Sequence, residues 1–170
     1  DLPGGRYTWR LVWGDQQIEA GTLDVTAPER LFTAPVTDVA VEAIFSDVAA
    51  LLGVSFAPSP PIPLAPSAPL DVTLVWRAEG ETPISYRVFV HLIDETGQII
   101  AQSDGEPANW SRPTTGWLPG EVVVDEHRLA LPEGVGNGRF ALRIGLYDPE
   151  TGQRLPTQTG EYVLIPLSGD

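Results

Sequence analysis

Apolar residues fall at every second position in one stretch after another of this chain. That spacing confines the chain to β-strands with one buried face each. Tyr7, Trp9, Leu11 and Trp13 form the first such face. Leu70, Val72, Leu74 and Trp76 form another, with Asp71, Thr73, Val75 and Arg77 between them. Tyr86, Val88, Val90 and Leu92 make a third, and Phe140, Leu142, Ile144 and Leu146 a fourth. Turn signals separate the runs: Gly14-Asp15, Asp94-Glu95-Thr96-Gly97, and Asp148-Pro149-Glu150-Thr151-Gly152. In each, Asp favours the turn opening or Gly supplies a positive φ. Short strands with such turns between them predict an all-β chain, an antiparallel sandwich of immunoglobulin-like or jelly-roll-like type. Residues 38–52 are the one stretch that could hold a short helix, and their β-branched content favours a strand or a single helical turn.

An internal repeat sets the expected domain organisation. Gly5-Arg6-Tyr7-Thr8-Trp9-Arg10-Leu11 aligns with Gly138-Arg139-Phe140-Ala141-Leu142-Arg143-Ile144, and both copies reach an Asp at the same offset, Asp15 and Asp148. Residues 1–27 are therefore expected to be the closing hairpin of a preceding repeat, residues 28–35 a linker, and residues 36–170 a β-sandwich module. The opening Asp1-Leu2-Pro3-Gly4 does not read as a leader, and fits the interior of a longer protein. Pro58 to Ser67, dense in proline, is expected to be a stiff connection between strands.

Composition narrows the function. The formal net charge is −13, which repels phosphate backbones and anionic lipid heads, so no nucleic acid is expected as partner. No run approaches the roughly 20 apolar residues of a membrane helix, so no direct membrane insertion is expected. Cysteine is absent, which removes disulfides, zinc–thiolate sites and cysteine nucleophiles together.

Five sets of residues carry a family resemblance. They are Leu74-Val75-Trp76-Arg77 and Tyr86-Arg87-Val88-Phe89-Val90-His91-Leu92-Ile93-Asp94; Gln102-Ser103-Asp104-Gly105-Glu106-Pro107; Arg112-Pro113-Thr114-Thr115-Gly116-Trp117-Leu118-Pro119-Gly120-Glu121; and Arg143-Ile144-Gly145-Leu146-Tyr147-Asp148-Pro149 with Gly152. From residue 48 to 155 the chain resembles β-sandwich accessory modules in the extracytoplasmic parts of large bacterial surface and envelope proteins. Such modules are often appended to membrane glycosyltransferases, typically of Chloroflexi-like bacteria. Residues 1–27 resemble the closing hairpin of the same family. The resemblance implies a cell-surface or otherwise extracytoplasmic location and no catalytic residue set.

His91 and His127 sit 36 positions apart with no Gly-x-Ser-x-Gly elbow, and both read as packed or surface histidines. No catalytic residues are expected, and the chain is not expected to be an enzyme. The loop from Asp104 to Glu121 is the segment of interest, because long loops in compact domains are mostly functional or disordered. Its Trp110, Arg112 and Trp117 are the candidate ligand-binding residues, being of the types that stack on sugar rings and anchor interfaces. The plainer reading has Trp117 plugging one end of the sandwich and Arg112 tying the loop down. No cofactor is expected; calcium is the one cation the ligand types suit, with Asp104, Glu106 and Asp125 as candidates. The expected function is a non-catalytic structural or interaction module of a larger exported or membrane-anchored protein. Its partners would be the rest of the parent chain and neighbouring repeats. The alternative is a carbohydrate-binding module with a glycan as partner, assisted by calcium.

Overall fold

The computed structural model of the chain describes residues 4–27, 29–58, 68–133, 135 and 138–167. Among them lie ten strands and one short 3₁₀ helix, in three antiparallel sheets. The chain divides into two compact units, Asp1–Arg30 and Leu31–Asp170.

The first unit is a hairpin of β1 (Gly5–Trp13) and β2 (Gln16–Val25). Gly14, at φ 55°, gives the positive φ that the two-residue loop needs. Tyr7 faces Leu23 and Leu11 faces Ile18 across the ladder, so the apolar residues of both strands share one face. A two-stranded hairpin has no second layer of its own to cover that face, and Trp13 is 87% exposed. The match between β1 and the later strand does not extend through the turn. Asp15 lies in a tight loop, whereas Asp148 begins a connection that reaches the next strand only at Val163.

The second unit is a sandwich. One sheet has the order β3 (Val39–Phe45), β4 (Ala49–Ala57), β5 (Pro69–Ala78), β8 (Val122–Ala130). The other runs β10 (Val163–Pro166), β9 (Phe140–Tyr147), β6 (Arg87–Asp94), β7 (Ile99–Gly105). β4, β5 and β8 follow the A-B-E order of an immunoglobulin-like sheet, and β10, β9, β6 and β7 follow G-F-C-C′, with β3 added outside. Of the two sandwich types expected, this is the immunoglobulin-like one.

The alternating residues build the core as their spacing requires. Leu70, Val72, Leu74 and Trp76 from β5 meet Val88, Val90 and Leu92 from β6 and Leu142, Ile144 and Leu146 from β9, all essentially inaccessible. Residues 38–52 form no helix. They hold β3 and the start of β4, joined at Ser46–Val48. A register shift between Leu51 and Gly53 lets Leu51 and Val54, three apart, both reach the core, which masks the period of two. Part of the segment read as linker belongs to the sandwich, since Leu31 bridges Val122 and accepts its N–H at 2.8 Å. Of the proline-rich stretch, Ser59 to Ser67 lies outside the described residues.

Two turns are held by aspartates. Asp94 accepts hydrogen bonds from the Thr96 hydroxyl (2.7 Å) and from the Thr96 and Gln98 N–H groups (both 2.9 Å). The Thr96 hydroxyl leads, with the turn's N–H groups, in holding the Asp94 carboxyl below its ordinary 3.8. Asp148 is lowered likewise, by the Glu150 N–H first and the Thr151 hydroxyl next. A carboxylate lowered on folding stabilises the fold above its unfolded value, and that contribution is lost as pH falls through the folded value. The stability gap between wild type and Asp94→Ala is therefore expected to be open at neutral pH. It should close in acid, read by urea unfolding at a series of pH values.

Candidate functional site

The chain crosses from one sheet to the other between β7 and β8, each at the edge of its sheet. The connection, residues 106–121, carries the candidate aromatic and arginine residues. Most of its side chains are used to close that end of the sandwich. Thr114, in the 3₁₀ turn Thr114–Gly116, accepts the Tyr86 N–H at 2.9 Å and donates to the Ile84 carbonyl at 2.7 Å. Trp117 is 2% exposed, and its indole N–H donates to the Arg112 carbonyl at 2.9 Å. Arg112 pairs with Glu121, which is wholly buried, and the other Glu121 oxygen accepts the Leu118 N–H at 3.0 Å. The Glu121 backbone joins the end of β5 through Ala78.

Of the three ligand-binding candidates, only Trp110 thus presents a face to solvent, at 53% exposed. The Arg87 guanidinium lies 5.0 Å from the centre of its ring. Gly105 lets the indole approach β7, since a Cβ there would stand 3.2 Å from the indole nitrogen. Trp117 and Arg112 serve the packing of the loop.

The three candidate calcium ligands are not brought together. Glu106 accepts the Ser85 hydroxyl at 2.8 Å. Asp104 lies beside His91, with Oδ1 3.3 Å from Nε2, an ion-pair distance without hydrogen-bond alignment. Asp125 is buried and engaged elsewhere. Among the described residues no group of three or more His, Cys, Asp or Glu is placed to hold a metal ion. Shared position in the chain misled here: successive residues of β7 face opposite sides of its sheet, so Asp104 turns away from the interior that Asp125 enters.

The inward face of β8 carries an arrangement the sequence reading missed. Asp125 and His127, two apart on that strand, both point inward, at 1% and 7% exposed. His127 Nε2 lies 2.9 Å from Asp125 Oδ2, and its Nδ1 lies 3.0 Å from the Ser103 hydroxyl on β7. The second Asp125 oxygen accepts the Ala108 N–H at 2.8 Å. A carboxylate only accepts, so Nε2 donates to Asp125, and in the neutral ring Nδ1 is the acceptor for the Ser103 hydroxyl. The chain runs from a hydroxyl through an imidazole to a carboxylate, the order of a nucleophile, its base and the group that fixes the base, with the two ring nitrogens exchanged relative to the usual triad.

The backbone beside it is held in an uncommon state. Ala108, Asn109 and Trp110 have φ of 53°, 52° and 69° in succession. Left-handed backbone costs roughly 1–2 kcal/mol per residue with a Cβ and persists only where its surroundings enforce it. Here Ala108 N–H is pinned by Asp125, and Trp110 N–H bonds back to the Glu106 carbonyl at 3.1 Å. A cleft of about 670 Å³ opens at this place, lined by Ser103, His127, Asn109, Thr73, Glu126 and Arg128 among others.

No protein-family model and no curated protein matches the chain. The site therefore rests on its own geometry.

Proposed function

We infer that the chain is a structural and interaction module of a larger exported or membrane-anchored protein, working beside like repeats. The carrying observation is the use made of the 106–121 loop. Trp117, buried, and Arg112, paired to Glu121, close the sandwich end and so offer no open apolar groove to a ligand. The hairpin adds to this. β1 repeats the inward residues of β9, and in β9 those residues are core. An apolar hairpin face of this kind belongs with the rest of a sandwich like the second unit. The extracytoplasmic setting follows from the family resemblance of residues 48–155.

A glycan-binding role retains only Trp110, with Arg87 over its ring. Tryptophan fluorescence titrated with a panel of oligosaccharides, with and without calcium, separates the two readings. The structural role predicts no saturable shift. A saturable shift abolished by Trp110→Ala in a folded variant would contradict it.

A further inference from the structure

We propose that Ser103 is an activated nucleophile that hydrolyses small carboxylic esters, with His127 as its base, and that the module carries this activity beyond its structural role. The proposal runs against the expectation, drawn from the sequence, that no catalytic residues are present. It rests on four observations that converge on one cleft.

The first is the directed hydrogen-bond chain. Ser103 to His127 is 3.0 Å and His127 to Asp125 is 2.9 Å, and the Asp125 carboxylate fixes which ring nitrogen can take a proton. The second is burial: Asp125 and the imidazole are largely withdrawn from water, whereas Ser103 is only half-buried and lines the cleft. A buried orienting acid behind an accessible hydroxyl is the order such chemistry needs. The third is a backbone group to which we assign the developing oxyanion: Asn109 lines the same cleft, and among the described residues no acceptor meets its N–H. The fourth is the left-handed run Ala108–Trp110, which holds that N–H group in place and is itself fixed by Asp125.

The reaction balances on these groups alone with water. The Ser103 oxygen attacks the ester carbonyl carbon as its proton passes to His127 Nδ1. The tetrahedral oxyanion is held by Asn109 N–H. The bond to the alcohol oxygen breaks, and that oxygen takes the proton from the imidazolium, which leaves an acyl group on Ser103. Water then attacks the acyl carbon and gives a proton to His127. The carboxylic acid leaves, and the serine oxygen recovers its proton. Asp125 touches no reacting atom and is a positioning residue. With Arg128 3.6 Å from Asp71, Glu126 adds a further negative charge to the lining and disfavours anionic substrates.

The test uses the full chain with p-nitrophenyl acetate and, separately, a fluorophosphonate probe read by mass spectrometry. The expected results are p-nitrophenol release at least about ten-fold above the buffer blank and a single adduct on Ser103, both lost in Ser103→Ala. Asp125→Asn keeps an acceptor for Ala108 N–H. It is expected to return release to the buffer blank and to slow fluorophosphonate labelling of Ser103 by roughly 10²-fold or more in a folded protein, a loss of hydroxyl reactivity that a merely structural role would not produce. Circular dichroism confirms that each variant is folded, and the probe result on wild type stands even if a variant is not. Release no faster than the blank with no Ser103 adduct, or release unchanged in folded Ser103→Ala, would overturn the proposal.

Discussion

Trp76→Ala is expected to destabilise the sandwich by about 3–5 kcal/mol, the range for removing a large aromatic from a core. Trp76 is fully buried in β5, and its ring meets Phe45 edge-on with centroids 5.6 Å apart. Truncation removes that contact and leaves a hole between the two sheets that the surrounding strands, locked in their ladders, can close only in part. In a domain of ordinary stability this is a large fraction of the whole, and the thermal midpoint should fall by on the order of ten degrees. Among the described residues the indole N–H meets no hydrogen-bond partner, which itself costs stability. Trp76→Phe removes that group with a far smaller loss of volume, and is expected to cost less than about 1.5 kcal/mol. Urea unfolding of the two variants checks both values. Equal losses would mean that the indole N–H, and not the ring volume, matters at this position.

Arg112→Ala is expected to cost about 3–5 kcal/mol, because it takes the paired guanidinium away from a carboxylate that has no access to water. Glu121 is wholly buried, and besides Arg112 its side chain accepts the Leu118 N–H. The Arg112 carbonyl that accepts the Trp117 indole N–H is backbone and stays in the alanine variant, so the loss reads the arginine side chain alone. Adding Glu121→Gln to Arg112→Ala removes the buried charge and should recover much of the loss. A double variant as unstable as the single one would show that the effect comes from loop packing and not from the charge. Chemical denaturation of the two single variants and the double closes the cycle.

The strands that proved easy to read are those with one apolar face and no irregularity. β5, β6 and β9 are each bounded within a residue or so by their alternation, because every inward residue meets the opposite sheet. β3 and β4 were obscured by a bulge: with Leu51 and Val54 both inward, the local spacing mimics neither a strand nor a helix. Asp125 and His127 sharing a face was legible, since they are two apart in a strand. Their partnership with Ser103 was not, because it depends on which strands lie at the sheet edges, a long-range property of the fold. Residue type alone marked Trp110, Arg112 and Trp117 as anchors, but only the path of the loop decides that Trp117 turns inward and Trp110 outward. The burial of Glu121 had no local signal at all, its cation being nine residues away across the loop.

Hydrogen exchange of the whole 170-residue chain, read peptide by peptide by mass spectrometry, is the most direct test of the two-unit organisation. Amides of β5, β6 and β9 should exchange only through opening of the sandwich. Amides of β1 and β2, in the separate hairpin unit that we propose closes a preceding repeat, should exchange orders of magnitude faster. Equal protection in both sets would make the hairpin part of the same cooperative unit and contradict its assignment to another repeat.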